Sequence, residues 1–410
     1  MASTSCNALA EQLLAVCLNG ERWPDELLDQ LLTPACSDAL FRVVVERMAD
    51  LFEPRLCDVY ADLFSQVIAR TIPELNAQDL RVRYDRVRWP RKFQGDAKQV
   101  EAVFVLSRVT LGADVAVTSV LLDAARQRFP HARIMLVGSL KSWELFGADR
   151  RIEHAAVSYR RAGSVRDRLA PWQELKRALA APNSIVIDPD SRLTQLGLLP
   201  VCPEESYYFF ESRACGSEGD DPLPVLAAAW AHETFGIPDA APWIAPKLAE
   251  SIKVHGRPFV TMSFGVGENP AKRIADPFEA ELVSHAARNG YVLIDEGAGG
   301  EEAERVQRAI AKSGAPSKRV RTFRGSFATF ASAIARSDLY IGYDSAGQHV
   351  AAAAGVALLS IFAGFASPRM FARWRPWGKG KIEVICVTDQ TPAQLIQQAG
   401  EFLRQSLPRA

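Results

Sequence analysis

Four segments of this 410-residue chain set ionisable side chains beside small residues where an apolar run gives way to a helical pattern. In the first, 107–114, Gly112 permits a tight turn and Asp114 opens the next helix. A carboxylate there can cap free N–H groups. Held within about 3 Å of a substrate hydroxyl, it can instead act as a general base. The second segment is Tyr343-Asp344-Ser345-Ala346-Gly347-Gln348-His349, followed by a helix built almost wholly of alanine. Small side chains let the backbone approach a ligand, and the helix N-terminus offers unsatisfied N–H groups to a phosphate. Asp344 and Ser345 can orient that turn through side-chain hydrogen bonds, and His349 can donate to a diphosphate.

The third segment carries Gly265 and Gly267, then Lys272 and Arg273, which can neutralise a departing phosphate. It matches neither the Walker pattern nor the dinucleotide fingerprint, which argues against an ATPase or a nicotinamide enzyme. The fourth, 295–302, joins a strand end and a glycine turn to Glu301 and Glu302. These carboxylates suit the first turn of a helix, and one of them can also bind the two hydroxyls of a ribose.

The elements that carry these segments repeat. Short runs rich in valine and isoleucine at 100–107, 133–138, 152–159, 184–188 and 207–210 predict strands, with helices at 114–128, 165–180 and 222–235. A second alternation predicts strands at 259–264, 291–295, 320–323, 339–343, 357–362 and 382–387. Helices fit at 276–289, 301–313, 326–336, 348–354 and 391–405. The pattern is that of two parallel-sheet α/β units with a ligand cleft between them. Pro238, Pro242, Pro246 and Pro258 mark the connector. The expected organisation is an N-terminal helical module at 1–94, a first unit at 95–245 and a second at 246–410.

The module reads as three or four short helices without a chemical motif. Residues 81–92, RVRYDRVRWPRK, contain five arginines. They read either as a surface for phosphate or anionic lipid, or as a linker in which Val82, Tyr84 and Val87 pack while the arginines face water. Equal numbers of basic and acidic residues, 48 of each, give no global attraction to nucleic acid, so no nucleic-acid partner is expected. No apolar run approaches the length of a membrane span, and the N-terminus lacks an export signal. Seven scattered cysteines, with no Cys-x-x-Cys, argue against a zinc site and for reduced thiols in the cytoplasm.

Together these segments resemble the glycosyltransferase family of the ADP-heptose:lipopolysaccharide heptosyltransferases, family 9. The similarity runs over VFVLSRVTLGADVAVTSVLLDAARQRFPHARIMLVG, over VIDPDSR at 186–192 and over SDLYIGYDSAGQHVAAAAGVALLSIF. Departures are Ala113 inside the family's Gly-Asp pair, Ala346 for a usual glycine, and the 363–368 loop. The resemblance implies a GT-B fold of two facing Rossmann-like domains and inverting, metal-independent transfer of a sugar from a nucleotide diphosphate donor. It implies no cofactor beyond that co-substrate. Asp114 takes the base position and Lys272 the diphosphate position. Glu301, with Glu302 as neighbour, matches the ribose-binding acid, while Asp344, Ser345, Gly347 and His349 line the diphosphate.

The acceptor implied is a glycan or another hydroxyl compound, a protein included. The implied setting is the cytoplasm, compatible with a peripheral contact at the inner face of the membrane. Competing readings are a nucleotide-sugar epimerase and a non-catalytic sugar-nucleotide-binding scaffold. The sequence does not fix the oligomeric state.

Overall fold

The computed structural model describes residues 5–216, 219–247, 252–254, 256–267 and 269–407. Two all-parallel sheets organise them. The first contains β1 (Ala102–Leu106), β2 (Arg133–Gly138), β3 (Ile152–Ala156), β4 (Ser184–Asp188) and β5 (Tyr207–Phe209), in the order β3-β2-β1-β4-β5. The second contains β6 (Phe259–Ser263), β7 (Tyr291–Asp295), β8 (Val320–Phe323), β9 (Leu339–Tyr343), β10 (Ala357–Phe362) and β11 (Ile382–Cys386), in the order β11-β10-β9-β6-β7-β8. Strand order reverses beside β1 in one sheet and beside β6 in the other. Ligands commonly bind at such switch points, beyond the carboxyl ends of the strands. Three expected segments follow β1, β6 and β9, so topology brings them to these two crevices.

Why β1 reads as an unbroken apolar run is visible in its two faces. Ala102, Phe104 and Leu106 join one buried cluster, and Val103 and Val105 join another. Both faces are covered, as parallel sheets require. The cover on the Phe104 face includes the N-terminal helices themselves: Leu13, Leu28, Phe41, Tyr60 and Phe64 belong to the same cluster as Phe104. The module therefore shares a core with the first sheet.

Five helical stretches make up that module, more than the three or four expected: Cys6–Asn19, Asp25–Leu31, 37–51, Pro54–Thr71 and Ala77–Val87. A π turn, Leu40–Val45, interrupts the third. Cys6 and Cys36 form a disulfide between the first and third stretches, which corrects the expectation that all the thiols are reduced.

The arginine run also differs from both of its readings. Residues 81–87 continue the helix capped by Asn76, which accepts from the backbone of Gln78 and Asp79. Tyr84 and Val87 pack as expected, but Val82 is exposed. Arg83 and Arg88 turn inward because the module and first sheet offer them acceptors, whereas Arg86 and Arg91 stay exposed as the linker reading expects. Arg83 donates to the Gly197 carbonyl, Arg91 to the Glu204 carbonyl, and Arg88 to Glu211 at 3.0 Å and to Asp58. Arg81 pairs with Asp58 and Asp62, and Arg86 with Glu204.

Elsewhere the expected 165–180 helix breaks into Val165–Leu169 and Pro171–Ala178. The last helix, Pro392–Ser406, buries Leu395, Ala399, Phe402 and Leu403 with Val260, Leu282 and Ile385 of the second unit. Among the described residues, no helix is long and apolar enough to cross a membrane.

The Arg88–Glu211 pair is buried at both ends, with side chains 7% and 6% exposed. Removing the guanidinium leaves a carboxylate that cannot easily recover water. Arg88→Met is expected to cost about 3–5 kcal/mol in urea unfolding; an unchanged midpoint would show that the pair does not join the module to the sheet.

Candidate functional site

The loop after β6 and the turn after β9 meet. A short turn, Pro270–Lys272, opened by Asn269, carries Lys272 back toward the second sheet. Its Nζ lies 2.6 Å from Asp344 Oδ2 and 3.2 Å from the Asp344 carbonyl oxygen. Asn269 also donates to the Gly364 carbonyl, at 2.9 Å, so the altered 363–368 loop supports the lysine turn. Gln348 donates to the other Asp344 oxygen at 2.6 Å, and Ser360 donates to the Gln348 side-chain oxygen. Asp344 is thereby held by Lys272 and Gln348, the latter itself fixed by Ser360, at the entrance to the helix Ala346–Ala353.

That helix begins without a side-chain cap at Ser345. Its first N–H groups and the Lys272 ammonium are groups of the kind that can meet the charge of a phosphate. Gly347 has a separate reason to be glycine. A Cβ there would lie 2.1 Å from the Tyr340 hydroxyl oxygen, so the helix can rest on the sheet only without one. Gly347 and Gln348 are buried.

The remaining expected residues fall around this centre. Gly265 faces Glu302, whose Oε1 would be 3.4 Å from a Cβ at residue 265, while Gly267 adopts a left-handed turn at φ +61°. Arg273 pairs with Glu301 at 3.1 Å, and the Glu301 side chain is 77% exposed. Both carboxylates therefore meet the loop after β6, Glu301 at Arg273 and Glu302 at Gly265.

The first unit reaches the same helix through Gly112. An added Cβ would sit 3.3 Å from the Ala346 Cα and 3.4 Å from the His349 ring, so the two backbones meet in close contact where a side chain would be tight. His349 is buried at this boundary, and burial lowers its pKa to about 4, leaving a neutral imidazole at pH 7. Residue 113, the addition to the Gly-Asp pair, precedes a π turn at Asp114–Thr118. A π turn is how a helix absorbs one extra residue.

Asp114 is not in the cleft. It is fully buried, and its oxygens accept from the Arg108 N–H at 2.7 Å, the Ser107 hydroxyl at 2.8 Å and the Thr118 hydroxyl at 2.9 Å. Burial raises its pKa, and these donors offset part of the rise. The expected carboxylate thus fastens the end of β1 to the following helix. Strand-end spacing places the residue in this loop, but it does not tell which way the side chain turns when serine and threonine donors lie behind it.

A carboxylate the sequence analysis missed does face the opening. Asp50, half-buried on the module's Glu46–Leu51 helix, lines a cavity of about 250 Å³ with Arg108, Thr110, Ala113, Arg192 and Trp374. Burial raises its pKa to about 6. Glu46 adds to the rise, Arg192 and Lys272 oppose it, and Asp344 contributes a smaller increase. Trp374, from the helix Pro368–Trp374, ties three parts together. Its ring centroid lies 6.3 Å from that of Phe52 in the module and 6.0 Å from that of His349, and Arg108 stands 5.7 Å over it. Next to it the fully buried Arg373 donates to the carbonyls of Cys215, Gly216 and Asp221 in the first unit. No local motif marks Asp50: one acidic residue in an amphipathic helix is ordinarily a solvated one.

Asp114→Asn replaces an acceptor of three bonds with a side chain that must present N–H to one of its donors. The expected result is a folded protein about 1–3 kcal/mol less stable, read as a lower thermal midpoint. An unchanged midpoint would count against the holding role.

Residues 225–400 match the family model of glycosyltransferase family 9 (heptosyltransferase). The fold is shared with a glycosyl transferase family 9 crystal structure from Veillonella parvula, at TM-score 0.57 and 16% identity, covering 76% of this chain and 100% of that one. It is shared too with the E. coli heptosyltransferase WaaC, solved with ADP and with ADP-2-deoxy-2-fluoro heptose. Those structures give TM-scores of 0.55 and 0.56 at 14% identity, covering 74% of this chain and 99% of theirs. No curated protein sequence matches the chain. Over residues 225–400 the chain is thus similar to the family 9 glycosyltransferases, and its two parallel-sheet units share the GT-B fold of the solved structures.

Proposed function

We propose that the protein transfers a sugar, with heptose the first candidate, from a nucleoside diphosphate donor to a hydroxyl of a glycan or other acceptor. Transfer inverts the sugar carbon and uses no metal. The observation that carries this reading is the convergence of Lys272 and the uncapped N-terminus of the helix Ala346–Ala353 on one point beside Asp344. An incoming diphosphate competes with Asp344 for the ammonium. As the sugar–oxygen bond breaks, charge gathers on the leaving phosphate, and the lysine and helix N–H groups stabilise it in place. Arg273 stands next to Lys272, and its buried Nε has no partner among the described residues. Glu302, facing Gly265, is the better placed acid for the ribose hydroxyls.

Inversion requires attack from the face opposite the leaving group, and a base on that side. Asp114 can serve only by exchanging three hydrogen bonds for the acceptor hydroxyl; otherwise another carboxylate on the acceptor side takes the proton. The acceptor meets the protein from the first unit and its module. A cell-envelope glycan or a protein, reached from the cytoplasm and at a peripheral membrane contact, fits this reading.

Lys272→Ala is expected to weaken ADP binding about 10- to 100-fold by calorimetry, the loss of one charge-assisted contact. Unchanged affinity, or no affinity of the wild type for any nucleoside diphosphate, would remove the donor site from this place.

A further inference from the structure

We infer that the N-terminal helical module forms the acceptor-side wall of the active site and that Asp50 receives the proton of the acceptor hydroxyl. This rests on the donor reading above and deepens it. The cavity is the first support: it is bounded by the module through Phe41, Asp50 and Phe52, by the first unit through Thr110 and Arg192, and by the second unit through Trp374. Its lining includes Thr110 and Ala113, on either side of the Gly112 that touches the helix Ala346–Ala353. A group in it therefore lies between the module and the anion site.

The backbone around the cavity is held in unusual conformations. Phe52, Val109, Asp190 and Leu196 line it, and all four have left-handed φ, between +53° and +70°. For a β-branched residue such as Val109 this is costly, and such residues concentrate where a binding surface is held in shape. Its positive charge is mostly committed: Arg213 to Asp190, Arg168 to Asp38, and Arg108 to the Ser212 hydroxyl. Arg192 differs, with a buried Nη1 that has no partner among the described residues and can donate to an acceptor oxygen. Asp50 accepts no hydrogen bond from a described residue, whereas Asp114 accepts three. Of the two carboxylates, only Asp50 can take a proton without dismantling the loop.

In the step proposed, the acceptor O–H bond breaks and its proton passes to an Asp50 oxygen. The acceptor oxygen forms its bond to the anomeric carbon as the bond from that carbon to the diphosphate breaks. The electron pair leaves with the nucleoside diphosphate, held by Lys272. Asp50 then gives the proton to water. Because Asp50 must begin ionised, kcat/KM rises with pH through about 6. The charges facing it are Glu46 on its own helix, Arg192 after β4, and Lys272 and Asp344 from the second unit; Arg161 also lines the cavity.

The test uses the full-length protein and ADP-heptose, read as released ADP. Acceptors are monosaccharides, deacylated lipopolysaccharide or hydroxylated peptides, with water alone where none accelerates release. Asp50→Asn is expected to lower kcat by about 10²- to 10⁴-fold, to abolish the rise near pH 6 and to leave ADP affinity within about twofold; Asp50→Glu restores part of the rate. Asp114→Asn is expected to keep the pH rise. Wild-type turnover with an unchanged pH profile in Asp50→Asn overturns the inference. So does loss of the pH rise in Asp114→Asn alone. A wild type that binds no ADP and turns over no ADP-heptose fails at the donor site instead, and takes this inference with it.

Discussion

Two helices, one from each α/β unit, meet in close backbone contact. Gly112 and Ala346 are the residues at that meeting, and the rest of the site is arranged about it. A β-carbon added at Gly112 would press on the facing backbone at 3.3 Å, so a larger residue there would have to push the two helices apart by a few tenths of an ångström. Bringing charged groups together in a closed, water-poor space strengthens each electrostatic contact. The small residues of both segments are the condition for this closeness.

The three parts contribute different chemistry. The second unit supplies positive potential: Lys272, a helix terminus and the network of Asp344, Gln348 and Ser360 that fixes them. The first unit supplies a rigid floor, in which the buried Asp114 holds the β1 loop and Asp190 holds Arg213. The module supplies a wall, and its shared core with β1 makes it part of the same folded body. Trp374 touches all three parts, so a displacement of the module would be felt at His349 and hence at the helix that faces the donor.

Much of this was legible in the chain. Apolar runs announced the central strands, since a strand buried on both faces must be apolar throughout, while the edge strands β3, β8 and β11 carry polar residues and showed mainly by their place in the alternation. The Lys272 and Asp344 segments were legible too, because glycine, alanine and a strand-to-helix change occur together there. Less was visible where the outcome depends on partners distant in sequence. The arginines of 81–92 look solvated until Glu204 and Glu211 arrive from more than 110 residues away. The direction of Asp114 depends on Ser107 and Thr118, common residues with no motif of their own. Asp50 becomes notable only when the module folds onto the cleft.

The grip of Arg373 on the first unit has a kinetic implication. Its three partners are backbone carbonyls, so the two units are joined at this point by a charge and dipoles, not by opposite charges. Water can replace each of those bonds in turn as the gap widens, giving a latch that yields stepwise. Added salt screens charge pairs far more than such contacts. The hold of the two units on each other at this point would then be nearly indifferent to the ionic strength around it.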